Sequence, residues 1–201
     1  RIKAWHLPEG GRDAKGGHVA GLLSFLPDEQ IAQGIVLSGY DQAEYLLLAT
    51  RKGLIKKTAL SAYDSSRAAG LIAVSFLDEN DELIGAELCN RDDDVLLISR
   101  KGQGIRFNAS DDQVRPMGRT TSGVTGMRFR DGDELLSMSI IPNTADEDES
   151  FVFTVTDEGY AKRTPVADYP QKGRGTKGVI SIACSERNGQ AVCAVQVQED
   201  E

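Results

Sequence analysis

Val95-Leu-Leu-Ile-Ser-Arg-Lys-Gly-Gln-Gly-Ile-Arg-Phe107 decides the fold of this chain. An apolar run rich in branched residues reaches a glycine turn flanked by bases, and a second short run then carries another base. That is the pattern of a strand, a tight turn and a strand. It occurs three times, with Tyr45-Leu-Leu-Leu-Ala-Thr-Arg-Lys-Gly-Leu-Ile-Lys-Lys57 before it and Phe151-Val-Phe-Thr-Val-Thr-Asp-Glu-Gly-Tyr-Ala-Lys-Arg163 after it. The turn glycines Gly53, Gly102 and Gly159 are 49 and 57 residues apart, the surplus falling in an acidic, turn-rich insert at residues 142–150.

The parts between the hairpins repeat as well. Each unit continues with a basic, glycine-containing stretch (67–70, 115–123, 171–178), an apolar strand (71–77, 124–129, 179–184), an acidic or polar turn (78–82, 130–133, 185–189) and a fourth strand (83–89, 134–141, 190–197). The opening segment fits the back of a further unit, with Trp5-His-Leu-Pro8, a basic stretch at 12–17, a strand at 18–26, a turn at 27–29 and a strand at 30–37. Repeats of about 40 to 50 residues with four short strands predict an all-β, propeller-like array, since one blade cannot bury both its faces alone. The blades fall near residues 1–40 (partial), 41–91, 92–143 and 144–201 of a single domain. The chain opens at Arg1-Ile-Lys3 inside what reads as a second strand and stops at Glu201 where a new repeat would begin, so an excised piece is expected. Residues 61–66 and 166–169 have room for single helical turns only.

Composition excludes several classes. Hydrophobic residues make up 40% of 201, ordinary for a globular protein. No apolar run approaches the roughly 18 residues that span a bilayer, and no basic-then-apolar leader opens the chain, so a cytoplasmic location without membrane contact is expected. Cys89, Cys184 and Cys193 lie in apolar runs without C-x-x-C spacing, which predicts buried thiols in a reducing compartment rather than disulfides or zinc. His6 and His18 lack partners at metal-ligand spacing, and no catalytic constellation is present.

The formal charge of −8 argues against a polyanionic partner until the chain is divided by repeat phase. Residues 1–17, 51–72, 95–119 and 151–178 hold 19 Lys and Arg against 8 Asp and Glu, whereas the remainder holds 4 against 23. Corresponding positions of radial repeats lie side by side. Arg51, Lys52, Lys56, Lys57 and Arg67 should therefore share a latitude with Arg100, Lys101, Arg106, Arg115 and Arg119 and with Lys162, Arg163, Lys172, Arg174 and Lys177. A basic belt results, with the acidic turns at another latitude. The alternative use of such turns is to keep a β protein soluble and shield its edges.

Gln171-Lys-Gly-Arg-Gly-Thr-Lys-Gly178 is the most distinctive local sequence. Three bases alternate with glycines Gly173, Gly175 and Gly178, so backbone N–H groups and cations can converge on one phosphate, with Thr176 between them. It fits G-x-G-x-x-G by spacing but lacks the strand before and the helix after that a dinucleotide site needs, and the P-loop pattern fails at Val179. A flexible crossover between blades is the structural alternative.

The ordered repeats, with Gln171, Gly175 and Gly178 in a Q-x-x-x-G-x-x-G frame, closely resemble the C-terminal DNA-wrapping domain of the DNA gyrase A protein, particularly its actinobacterial form. Arg1-Ile-Lys-Ala-Trp-His-Leu-Pro-Glu9 and Arg115-Pro-Met-Gly-Arg-Thr-Thr-Ser-Gly-Val-Thr-Gly-Met-Arg-Phe129 look like stretches of that family too. The resemblance implies a β-pinwheel, in which neighbouring blades exchange strands and duplex DNA wraps a basic perimeter. It implies a cytoplasmic tetramer of two gyrase A and two gyrase B proteins that introduces negative supercoils. The active-site tyrosine, the ATP site and the Mg2+ of such an enzyme lie elsewhere, so this chain itself needs no cofactor. The family's principal box is usually a compact Q-R-R-G-G-K-G in the first blade; the eight-residue variant here stands in the last complete unit, as either an essential or an auxiliary box. A topoisomerase IV-type DNA-binding domain, or a propeller-like scaffold that binds protein through its acidic face, are the competing functions.

Overall fold

The computed structural model describes residues 1–25, 29–67, 69–146 and 149–198. Eleven strands run along the described residues: β1 (Tyr45–Thr50), β2 (Leu54–Ala59), β3 (Leu83–Cys89), β4 (Asp94–Ser99), β5 (Gln103–Asn108), β6 (Val124–Thr125), β7 (Leu135–Ile141), β8 (Ser150–Thr156), β9 (Ala161–Pro165), β10 (Val179–Ile180) and β11 (Ala191–Gln198). The three quoted stretches form the hairpins β1–β2, β4–β5 and β8–β9. Their turn glycines have φ of +81°, +74° and +80°, a left-handed backbone that side chains disfavour. Leu60–Tyr63 and Val166–Asp168 form the short helical turns.

The sheets interlock. The first has the order β3-β1-β2-β6 and the second β10-β5-β4-β7. The outer strand of each comes from the following repeat: Val124 and Thr125 pair with Ile55 and Leu54, and Val179 and Ile180 pair with Gly104 and Gln103. This is the strand exchange of a β-pinwheel. The third sheet, β11-β8-β9, has three strands, so the expectation of four in every unit fails there and β9 is an edge among the described residues. Residues 71–77, expected as a strand, form none, and the described residues of the opening segment carry only the short turns Ala4–His6 and Val19–Gly21. Leu26, Pro27 and Asp28 of that segment, Ala68, and Glu147 and Asp148 of the acidic insert lie outside the described residues. The reason for the missing strands is pairing. A donated strand is two residues long here and takes shape only beside a hairpin, and neither 71–77 nor the opening segment has one beside it.

Packing explains why β4 reads as an unbroken apolar run. Every residue of β4 is buried, with Val95 and Leu97 facing the first sheet and Leu96 and Ile98 the third. The first interface gathers Leu47, Ile55, Ile105, Phe107, Met127 and Leu135; the second gathers Ile141, Val152, Val166, Tyr169 and Ala194. The third sheet covers one face only, and β8 accordingly alternates, Phe153 outward between buried Val152 and Thr154. The inner strands β3, β7 and β11 pack in succession and leave the hairpins outside. Gln33 of the opening segment reaches the inner edge of β3, where its carbonyl oxygen accepts from Ala86 N at 2.6 Å. No helix among the described residues is long and apolar enough to cross a membrane. All three cysteines are free, but only Cys89 is buried; Cys184 is half-buried, and Cys193 is exposed at a register shift in β11 where Val192 and Cys193 both face outward between buried Ala191 and Ala194.

Candidate nucleic-acid interface

Antiparallel pairing of β3 with β1 puts the turn entering β3 beside the turn leaving β1. Arg51 N donates to Glu82 O at 2.8 Å, and its guanidinium lies 3.1 Å from Glu82 and 3.7 Å from Glu134. Lys52 ion-pairs with Asp78 and lowers that carboxyl below its ordinary range. One repeat later Arg100 meets Glu134 at 3.1 Å, and Lys101 Nζ donates to Asp131 O at 2.5 Å. Acidic and basic turns therefore share one end of the first and of the second sheet, which corrects the expectation of separate latitudes. Arg51, Lys52, Arg100 and Lys101 belong to these local pairs, each weak because partly solvated.

Three more expected belt residues face inward. Lys56, Lys57 and Arg106 are 1%, 0% and 8% exposed, too buried to meet a phosphate. The ammonium of Lys56 donates to the carbonyls of Ala73, Arg119 and Thr121, and burial, with Arg119 nearby, holds its pKa down to about 8. Lys57 donates to Ala109 O at 2.5 Å and Asp111 at 2.9 Å, and sits 4.4 Å from the Tyr45 ring centre. The hydrogen bond from Lys57, then that from Arg91, lowers the Asp111 carboxyl. Arg106 Nε donates to Asp94 at 2.6 Å, and Gln171 and Asn108 complete that carboxylate at 2.7 and 3.1 Å. Buried charges persist only with such partners.

The glycine-rich box is a seam between the second and third repeats. Lys172 N donates to Arg106 O at 2.9 Å and Gly175 N to Gly126 O at 2.6 Å. Arg174 N donates to the Gln113 side chain at 3.2 Å, and its guanidinium bonds Gln113 O and, at 2.9 Å, Thr125 O. A Cβ on Gly178 would overlap the Gly104 carbonyl. The amides of Lys172, Arg174 and Gly175 are therefore already used, and the side chains of Lys172 and Lys177 are exposed where a phosphate could meet them. Gly173 and Thr176 are exposed beside them.

What is left facing solvent is Arg67, Arg115, Lys162, Arg163, Lys172 and Lys177, with Arg119 and Arg174 half-buried. Arg115, Arg119, Lys172, Arg174 and Lys177 lie on the crossovers along β2 and β5, Lys162 and Arg163 on β9 itself, and Arg67 on the connection from β2 to β3. The Met117 amide bonds Lys57 O as Lys172 bonds Arg106 O, so the two crossovers follow their hairpins in the same way. Arg128, which sequence reasoning passed over, joins this set: it is exposed, and its amide donates to Thr176 O at 2.9 Å, next to Lys177. The signal was the alternation of buried Met127 and outward Arg128. Among the described residues no cluster of three or more His, Cys, Asp or Glu could hold a metal ion.

The family described as the DNA gyrase C-terminal domain, beta-propeller, matches residues 44–90, 93–142 and 150–201, one match per sheet. This chain belongs to that family. The DNA gyrase A protein of Nocardioides sp. is 52% identical over 225 residues, covering 99% of this chain and 24% of that protein. The chain thus spans about a quarter of the length of the curated relatives it matches. A solved DNA gyrase A C-terminal domain superposes with a TM-score of 0.80 at 26% identity, covering 98% of this chain and 61% of that one. The C-terminal domain of DNA topoisomerase IV also gives 0.80, at 25% identity, over 91% and 55%. Fold likeness does not separate gyrase from topoisomerase IV; the family match and the curated relatives side with gyrase.

Proposed function

We propose that this chain binds duplex DNA through its phosphates, without reading sequence, and bends and wraps it around the outer crossovers in support of negative supercoiling by DNA gyrase. The observation that carries the reading is the set of bases that faces solvent: Arg115, Arg128, Lys172 and Lys177 stand exposed on two stretches of chain joined by the Arg174–Gln113 and Arg128–Thr176 hydrogen bonds, with Lys162 and Arg163 exposed on the hairpin of the third sheet. No element among the described residues resembles a recognition helix, so sequence preference would come from bendability. Bending 20 to 30 base pairs by 40 to 90 degrees costs on the order of 1 to 6 kcal/mol, which several phosphate contacts must offset. The partners are the catalytic part of the gyrase A protein and two gyrase B proteins in a cytoplasmic A2B2 assembly, which uses ATP and Mg2+ outside this chain. The chain gives the DNA crossing its hand and performs no chemistry.

Filter binding to linear duplexes of two lengths at graded salt tests this. Affinity should fall steeply as salt rises and be greater for the longer duplex; no retention even at low salt overturns the reading. A topoisomerase IV-type role is the second reading, favoured only by the equal structural likeness. Sealing nicked circles with the protein bound separates the two, since gyrase-like wrapping leaves a net positive writhe.

A further inference from the structure

The second and third repeats lay their crossovers on the preceding hairpins in one register. Met117 N donates to Lys57 O at 2.8 Å and Lys172 N to Arg106 O at 2.9 Å, each carbonyl four residues past a turn glycine. Gly123 and Gly178, with φ of +93° and +70°, then lie against the carbonyls of Ile55 and Gly104, each two past that glycine. Arg119 and Arg174 therefore occupy the same place, two residues past the anchored amide.

The two arginines also make the same bond. Arg119 Nη1 donates to Ile72 O at 3.4 Å and Arg174 Nη1 to Thr125 O at 2.9 Å; these carbonyls stand two past Gly70 and Gly123, on the crossover of the repeat before. That earlier crossover answers two residues beyond each arginine, Ser75 N donating to Thr121 O at 3.2 Å and Arg128 N to Thr176 O at 2.9 Å. Arg174 Nε reaches Gln113 O as well. Both arginines are half-buried with donors turned to main-chain carbonyls, whereas Lys172 and Lys177 on either side of Arg174 are exposed. A planar guanidinium serves two carbonyls at once, which a single ammonium on a flexible stem does not reproduce.

We propose that Arg119 and Arg174 are positioning residues, each clasping its crossover to the preceding one and so setting the spacing at which successive crossovers present their bases to the duplex. This rests on the DNA-wrapping reading given above. Duplex DNA resists bending, so a protein that curves it needs its phosphate contacts held at fixed relative positions. Crossovers free to slide against each other would still bind phosphate but would impose no curvature. The clasp lies between crossovers and not within one, so its loss separates bending from binding.

Arg119→Lys and Arg174→Lys keep the charge and lose the fork. Sealing nicked circles with each full 201-residue variant bound should give a linking-number change per bound chain at least about threefold below that of the unsubstituted chain, while affinity for a hairpin duplex of about 10 base pairs, one helical turn, changes by less than about twofold. Arginines acting as phosphate ligands predict no loss of writhe, since lysine also meets a phosphate as a point charge. Unchanged circular dichroism and Tm establish that a variant folds, and a folded variant at either site suffices. Writhe kept by the Lys variants overturns the inference and leaves the wrapping reading standing, as does a fall in writhe and in short-duplex affinity by the same factor. An unsubstituted chain that imposes no writhe overturns the wrapping reading and this inference with it.

Discussion

The second and third sheets carry the same base at the same place with opposite outcomes. Arg106 and Arg163 each stand four residues past a turn glycine. On β5 the following repeat covers the residue: β10 pairs beside it, the Lys172 amide takes its carbonyl, and Asp94 holds its guanidinium. On the outer edge of β9, away from β8, no strand pairs among the described residues, and Arg163 lies at the surface with its guanidinium 4.2 Å from the Phe151 ring centre. Lys57, at the same position in the first sheet, sides with Arg106. A cation in this fold is internal or available according to whether the next repeat lies over it, and the residue type alone does not decide.

The largest test of that contrast is stability. Arg106→Ala leaves the Asp94 carboxylate buried without its cation and should cost about 3 to 5 kcal/mol in urea unfolding. Arg163→Ala should cost about 1 kcal/mol or less. Similar losses at both sites would break the comparison. Gly178→Ala, which meets the Gly104 carbonyl at positive φ, should cost at least about 2 kcal/mol, against about 1 for Gly70→Ala, where strain acts without overlap.

DNA binding should sort the other way. Replacing Lys162 and Arg163 by Ala should reduce the slope of log affinity against log salt by about 2, whereas Lys56→Met should leave it unchanged. A slope that responds to Lys56 would return that residue to the interface.

The smallest effect is a pH dependence. With a folded pKa of about 8 against roughly 10.4 when unfolded, Lys56 makes the unfolded chain bind more protons between pH 8 and 10. Its contribution to stability therefore rises with pH in that window. Cys89, pushed up to about 12 by burial, acts in the opposite direction once the unfolded thiol ionises. The informative quantity is the stability of wild type minus that of Lys56→Met by urea unfolding, which should climb from pH 8 to 10; a flat difference removes the desolvated ammonium from the account.

Much of the fold was legible because hairpins are local. The apolar runs around Gly53, Gly102 and Gly159 fix their own pairing, and the repeat spacing pointed to a radial array. Which residues face outward was less legible. Lys56 and Lys57 read as rim bases because period-two alternation cannot show that a crossover more than fifty residues later lies over the strand. The placing of the acidic turns failed for a related reason: Glu82 and Arg51 are remote in sequence and meet only through the β1–β3 pairing. Residues 71–77 have a strand's composition without a strand's partner.

Interlocking also sets an order of assembly during synthesis. The first sheet lacks its outer strand until residues 124 and 125 have left the ribosome, and the second until residues 179 and 180 have. Each nascent repeat thus waits with one hydrogen-bonding edge open while its successor is made, and a translational pause within a crossover would lengthen the time during which that edge can capture the wrong strand.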